Sequence, residues 1–342
     1  MRKRKLVGVL AVALAVLTGV VLWIPKEEDR IEMIETTEVV EVTEVPKAGV
    51  AIEEPGVDDD EIATETEVDG AMGDTADDGI EGEIAPEPTA ETPKLPSFSV
   101  WRGFLKGFSY NFIEVENATP YVYMPSERGD FESDVNNVTA GKEGGNIIVM
   151  ANAGIFSDNT EPLGSVIQNG KLVSQHEAEG PWCWTLVVDE DGNVGYVNSP
   201  VNDTTVDYID ARTGDVMMGK KIVSAVYAFV PFMVNGQAVE EFRSSYEGAY
   251  RARQIFCVKQ NSYMIITNTD EGKDGGGWEF NDMVQVATYR GCLSAFNLDG
   301  GGSTATAYRI SPNNNFTISA TTKRRDPTFI VFTADNLAPS GK

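Results

Sequence analysis

Histidine, cysteine and positive charge are all scarce in this chain of 342 residues. The one histidine, His176, excludes a multi-histidine zinc or iron site and leaves any catalytic triad with a single possible base. The three cysteines, Cys183, Cys257 and Cys292, cannot all pair within one chain. Each lies in an apolar run, which favours buried free thiols, with one disulfide as the alternative. Cys183 and His176 together suggest a thiol hydrolase, but Trp182-Cys183-Trp184 reads as the start of a strand and therefore as core. Lys and Arg number 27 against 53 Asp and Glu, a net charge of −26. The region after Pro96 is itself acidic, with 29 acids against 19 bases, which disfavours nucleic acid as a partner.

Aromatic residues are missing from Lys26 to Pro96, where 24 acids face 4 bases. Such a segment cannot bury enough apolar area to offset its ordering entropy, so residues 26–96 are expected to be a disordered, self-repelling tether. The alternation in Glu38 to Val45 has the period of a strand, but the surrounding charge argues against one. Upstream, Arg2-Lys3-Arg4-Lys5 precedes an unbroken apolar run, Leu6 to Ile24. That length spans a bilayer, and the basic cluster sets the N-terminus in the cytoplasm. Residues 1–25 therefore read as an uncleaved signal anchor, or as a secretion signal if cleaved. Either way, the expected globular domain at 97–342 lies outside the cytoplasm.

Within 97–342 the patterning is that of an α+β domain: a hairpin-built, mostly antiparallel sheet with one or two covering helices. Strands are expected in Phe108 to Val115, Tyr121 to Met124 and Asn146 to Ala151. Turn residues mark four hairpins, at Asn169-Gly170, Asp189 to Asn193, Asn235-Gly236 and Gln260 to Ser262. Phe131 to Gly141 reads as a short helix. In Glu279 to Arg290, Phe280, Met283, Val284 and Ala287 share one face and Gly291 supplies the stop.

One stretch is costly enough to need a reason. In Ala295 to Thr306 an apolar run delivers Asp299 into Gly300, Gly301 and Gly302, followed by Ser303 and Thr304. Three glycines lose much backbone freedom on folding, which makes sense where φ is positive or where a ligand comes close. Their amides can form an anion site with Asp299 at its rim; the alternative is a tight turn in which Asp299 caps its own backbone. A second strand ends similarly, in Asn152-Ala153-Gly154, so the two tips suit opposite walls of one pocket. Arg253 opens an apolar strand and is a cation for phosphate or, alternatively, an outward-facing charge paired with an acid.

These motifs resemble the phosphodiester glycosidases, the family of the lysosomal uncovering enzyme. Asn297-Leu298-Asp299-Gly300-Gly301-Gly302-Ser303-Thr304 matches the family's Asn-Leu-Asp-Gly-Gly-Gly-Ser-Ser. Asn152-Ala153-Gly154-Ile155-Phe156 is similar to Asn-Gly-Gly-Phe-Phe, and Arg253-Gln254-Ile255-Phe256-Cys257 to Arg-Thr-Ala-Ile-Gly. Arg324 or Arg325 resembles a late arginine before the final strand. Ala153, Ile155, Gln254 and Cys257 depart from the pattern.

The resemblance implies cleavage of the C1–O bond in a sugar-1-phosphodiester on a cell-surface polymer. Its roles are a catalytic Asp299, a phosphate site from Gly300, Gly301, Gly302, Ser303 and Arg253, and a sugar contact from Asn152, the last two being exchangeable, with Gly154 and Thr304 also lining the substrate site. The rival reading is a non-catalytic module, tethered through residues 6–24, that binds such polymers. No cofactor is required, although the acidic loop Asp270 to Asp274 leaves room for a divalent cation beside Asp299.

Overall fold

The computed structural model describes residues 94–158, 160–177, 183–229, 231–246, 248–269 and 277–339, together with the backbone of Glu32–Glu41. The expected anchor, nearly all of the tether and the loop Asp270 to Asp274 lie outside the described residues. Pro46–Lys94 is a unit of its own and, but for Lys94, falls outside them too. No helix among the described residues is long and apolar enough to cross a membrane.

The chain opens with β1 (Glu32–Glu41), β2 (Ser97–Leu105), β3 (Phe108–Glu116), β4 (Tyr121–Tyr123) and helix α1 (Phe131–Thr139). There follow β5 (Ile147–Asn152), β6 (Gly164–Gln168), β7 (Lys171–His176), β8 (Cys183–Asp189), β9 (Val194–Val197), β10 (Thr205–Asp210) and β11 (Val216–Phe229). Next come β12 (Pro231–Val234), β13 (Gln237–Ala238), one turn of helix α2 (Arg243–Tyr246), β14 (Arg253–Val258) and β15 (Ser262–Asn268). The chain closes with α3 (Phe280–Tyr289), β16 (Ser294–Asn297), β17 (Thr306–Tyr308), β18 (Thr317–Ala320) and β19 (Phe329–Thr333).

The α+β reading holds, but the strands divide among three sheets. One has the order β1-β2-β3-β15-β14-β16-β12-β13, the second β10-β9-β8-β11-β6-β7, and the third β18-β17-β5-β19-β4. Their described pairings are antiparallel throughout. The expected turns at Asn169, Asp189 to Asn193 and Gln260 to Ser262 join β6–β7, β8–β9 and β14–β15. Asn169 and Gly170 take φ of 52° and 70°, the left-handed pair that a two-residue hairpin needs. The Asn235-Gly236 hairpin is shorter than its apolar flanks suggested, because Val216–Phe229 breaks away as a separate strand into the second sheet. Asp130 caps α1, accepting from Ser133 N at 3.0 Å, and α3 carries a capping box between Glu279 and Asp282.

Two expectations are corrected. Glu32–Glu41, assigned to a disordered tether, is a strand on the open edge of β2, with Val39 opposite Ser99 and Val40 opposite Phe98. A free edge offers main-chain partners that charge repulsion does not remove, and the first part of the alternation, Glu38 to Glu41, belongs to this strand. Cys257 and Cys292 form a disulfide and are not free thiols. Sheet pairing brings Cys257 opposite Ala295, beside the chain end that Cys292 supplies.

The core follows the sheets. Phe256, Phe296, Leu298, Ile330 and Phe332 are buried together with Ala151 and Ala153, so the strands that carry the polar tips are anchored in one apolar cluster. A second cluster packs α3 through Phe280, Met283, Val286 and Ala287 against Ile255, Cys257 and Ile266. Phe131, Val135 and Val138 of α1 cover β5 and β19 through Ile147, Met150 and Phe329.

Candidate active site

Antiparallel pairing collects the polar tips at one place. The end of one strand lies beside the start of its neighbour: Asn152 on β5 is opposite Phe329 on β19, and Asn297 on β16 is opposite Ile255 on β14. The ends of β5 and β16 therefore share a region with the starts of β14, β17 and β19, although they belong to different sheets. Main-chain bonds join the two tips directly. Asp299 N donates to Ala153 O at 2.9 Å, and Ala153 N donates to Thr328 O at 3.0 Å.

The glycine turn is shaped for close approach. A Cβ on Gly300 would stand 2.7 Å from Ala252 O, a backbone atom that cannot step aside, and Gly301 has φ of +57°. Most of its amides are already engaged. Gly300 N donates to the Asp299 carboxylate at 3.0 Å, Gly301 N to Ala252 O at 2.9 Å, Ser303 N to Gly300 O at 3.1 Å and Thr304 N to Gly301 O at 3.3 Å. The turn is thus built as the self-capped alternative describes, and its main chain is not an open anion nest. Cationic character comes from Arg324, which is exposed and lies over the turn. A Cβ on Gly302 would come within 3.1 Å of its Nε, and its Nη1 donates to Ser303 Oγ at 3.2 Å. Thr322 fastens this arrangement, donating from Oγ1 to Gly302 O and accepting from Arg324 N at 3.0 Å.

Three residues expected to touch a ligand are placed in supporting positions. Asn152 is buried, and its amide bridges main-chain groups: Nδ2 donates to Asp299 O at 2.6 Å and Oδ1 accepts from Ala305 N at 2.9 Å. Arg253 is buried, donating to Trp278 O at 3.0 Å and Ala249 O at 2.7 Å, so it ties together the chain before β14 and the chain before α3. Gly154 N donates to Thr328 Oγ1 at 3.0 Å, and a Cβ there would meet Val226 Cγ2 at 2.6 Å. Gln254 is likewise buried, joining Thr306 at 2.9 Å and Thr267 at 3.2 Å beneath the turn. The residues brought to the surface of the site are Asp299, Gly302 and Arg324, with Ser303 and Thr304 buried just below.

A second acid, absent from the sequence reading, completes the group. Asp326 is 3% exposed, and neither carboxylate oxygen has a hydrogen-bond partner among the described residues. Burial, followed by the charge of Asp299, pushes its carboxyl up to about 8, and the nearby Ser303 hydroxyl and Arg324 only partly offset this. Burial raises Asp299 too, but Ser303, the Gly300 amide and Arg324 oppose the rise. Burial thus pushes both neighbouring acids upward, Asp326 as far as about 8, and it is at Asp299 that hydrogen bonds from Ser303 and the Gly300 amide support the charged form. Thr304 Oγ1 is a third buried polar atom without a partner among the described residues. The sequence signal for Asp326 was present in Arg324-Arg325-Asp326-Pro327, a polar cluster at the start of an apolar strand. An antiparallel sheet brings strand starts to the same edge as strand ends, so this cluster meets the tips of β5 and β16.

His176 does not join this group. It lies exposed on β7, with Nε2 3.4 Å from Glu161 Oε2. Among the described residues no cluster of three or more His, Cys, Asp or Glu side chains is arranged to hold a metal ion.

The phosphodiester glycosidase family model matches residues 145–333 of this chain. Among solved structures, the chain is similar to the catalytic domain of zebrafish N-acetylglucosamine-1-phosphodiester alpha-N-acetylglucosaminidase, described as auto-inhibited by its pro-peptide. The identity is 16%, over 72% of this chain and 84% of that one, with a TM-score of 0.50. It is also similar to a hypothetical protein from Synechocystis at 14% identity, over 71% and 64% of the two chains, with a TM-score of 0.41.

Proposed function

The chain belongs to the phosphodiester glycosidase family, and we propose that it hydrolyses the C1–O bond of a sugar-1-phosphodiester on a cell-surface glycan or polymer, acting outside the cytoplasm. The observation that carries this reading is two acids in unlike surroundings beside the exposed Arg324: Asp299 accepts from the Gly300 amide, whereas Asp326 is buried with no hydrogen-bond partner among the described residues. Glycosidases commonly place one carboxylate and one carboxylic acid at the same bond, and the weakly basic phosphate leaving group makes the acid's share of the work the smaller one here. Asp299, ionised, stabilises the positive charge that develops at C1 and takes a proton from the attacking water. Asp326, protonated, gives its proton to the departing phosphate oxygen. The water oxygen bonds to C1 as the C1–O bond breaks, giving free sugar and a phosphomonoester. Arg324 pairs with the phosphate, whose charge otherwise opposes approach to two acids. Asn152, Arg253 and Gly154 hold the turn in place.

The extracytoplasmic location rests on the N-terminal apolar run Leu6 to Ile24 and gains support from the Cys257–Cys292 disulfide, a bond favoured in oxidising compartments. The test is incubation with a sugar-1-phosphodiester and measurement of free reducing sugar. Asp299→Asn is expected to lose at least about two orders of magnitude in turnover with folding intact. Near-normal turnover in that variant rejects the assignment. Binding by the unaltered protein without sugar release favours the non-catalytic module instead.

A further inference from the structure

The strand nearest the start of the chain decides where the site can work. Glu41 lies opposite Ser97, so residues 42–96 leave the sheet and return to it at one point. That acidic stretch therefore adds nothing to the reach between the apolar run Leu6 to Ile24 and the domain. What remains is the short link from Ile24 to Glu32, eight positions long. Such a link spans at most about 29 Å and on average roughly 15 Å. Without the pairing the link would run on to Ser97, averaging roughly 45 Å with a limit of about 250 Å.

Strand register places this link at the site's end of the sheet. Ile34 lies opposite Arg102, Arg102 opposite Asn111, Asn111 opposite Thr267 and Thr267 opposite Gln254. Gln254 O accepts from Leu298 N at 2.8 Å, one residue before Asp299. The next row towards the start of β1 holds Met33 and Gly103 on one side of the sheet and Arg253 and Asn268 on the other. The chain thus enters the sheet at Glu32 from the same end at which Asp299 and the glycine turn project. Four strand spacings separate β1 from β14, about 19 Å in all.

We propose that pairing of Glu32–Glu41 with β2 holds the site at the membrane surface, where its substrate is a lipid-linked sugar-1-phosphodiester. The inference rests on the proposed hydrolysis and on the anchor expected at Leu6 to Ile24. In such a diester the phosphate joins C1 of the sugar to a lipid alcohol. The water oxygen bonds to C1 as the C1–O bond breaks; free sugar leaves, and the lipid phosphomonoester stays in the bilayer. Holding enzyme and substrate at one surface raises their effective concentration. Shortening the link from 73 positions to eight raises it further, by roughly 25-fold. A soluble polymer gains nothing from this placement.

Neutron reflectivity of the full chain in a supported bilayer measures the height of the domain. Val39→Pro with Val40→Pro removes two successive N–H groups, one of which must point to β2, and leaves the other strands untouched. The unaltered domain is expected against the headgroups, and the variant domain displaced outward by roughly 30 Å. Equal heights, or a chain that the bilayer does not retain, overturn the proposal. In vesicles the unaltered chain should release sugar from a sugar-1-phosphoryl lipid at least about tenfold faster than the variant does. Both should cleave a water-soluble sugar-1-phosphodiester equally. A soluble phosphosugar polymer cleaved as fast as the lipid-linked diester, or a lipid-linked rate that survives the prolines, overturns the substrate assignment. Hydrogen exchange needs no variant: amides of Glu32–Glu41 should be protected in the unaltered chain, and exchange at the rate of a free peptide overturns the placement. A change in height with no sugar released from either diester sinks the hydrolase reading alone, because the placement would stand without it.

Discussion

Replacing Asp326 with Asn should make the domain more stable in mild alkali and less stable in acid, while removing activity. The Asp326 carboxyl is pushed up to about 8 from an ordinary 3.8. Its folded-state value is raised, so the protonated acid is at home in the folded protein and the carboxylate is not. The stability it allows is fully present below about pH 4 and declines as the pH rises towards 8, levelling off beyond. Each pH unit in that window is worth about 1.4 kcal/mol, so the loss approaches about 6 kcal/mol at full ionisation and about 4 kcal/mol at pH 7. Relaxation and water entry reduce these figures. The amide that replaces the acid needs an acceptor for its NH2 group, at a cost of about 1–3 kcal/mol at every pH. The two stability curves should therefore cross between about pH 5 and 6, with the variant ahead by about 2–3 kcal/mol at pH 8 to 9. Urea unfolding of both proteins at half-unit steps from pH 4 to 9 tests this. Parallel curves, with a constant difference across the range, would show that Asp326 ionises normally and would undo its assignment as the acid.

Activity itself should follow a bell in pH, falling above about 8 as Asp326 loses its proton and falling on the acid side as Asp299 gains one; a flat alkaline limb would assign the proton donor elsewhere. Arg324→Ala is expected to weaken substrate binding roughly tenfold or more through loss of a charge-assisted contact to phosphate. A KM unchanged from the parent would contradict that role. Gly300→Ala forces a Cβ to within 2.7 Å of Ala252 O, so the turn must shift; the expected cost is about 1–3 kcal/mol with most activity lost, and full activity would mean that the turn geometry is not needed. Cys257→Ser opens a cross-link between residues 35 positions apart, with an expected loss of about 3–4 kcal/mol in thermal or urea unfolding. A loss below about 1 kcal/mol would show that sheet pairing alone constrains these strands.

Local chemistry in the sequence was enough for the α+β class, for both longer helices, for four turns and for the glycine-rich tip with Asp299. These depend on short-range physics: alternation, helical periodicity, and the positive φ of Asn169 and Gly170. The family resemblance also lay in contiguous motifs. Partners distant in sequence were decided only by the tertiary structure. Cys257 met Cys292 because β14 and β16 are neighbours in a sheet, whereas composition alone favoured free thiols. Glu32–Glu41 paired with β2 because an open edge was available to it. Asn152 and Arg253 have the right chemistry for a ligand, yet folding assigned both to carbonyl and amide groups that the turns would otherwise leave unsatisfied. Asp326 is the clearest case. Its importance comes from desolvation and from Asp299 across a gap of 27 positions, and neither the dielectric around a side chain nor its neighbours across sheets can be read from one strand at a time.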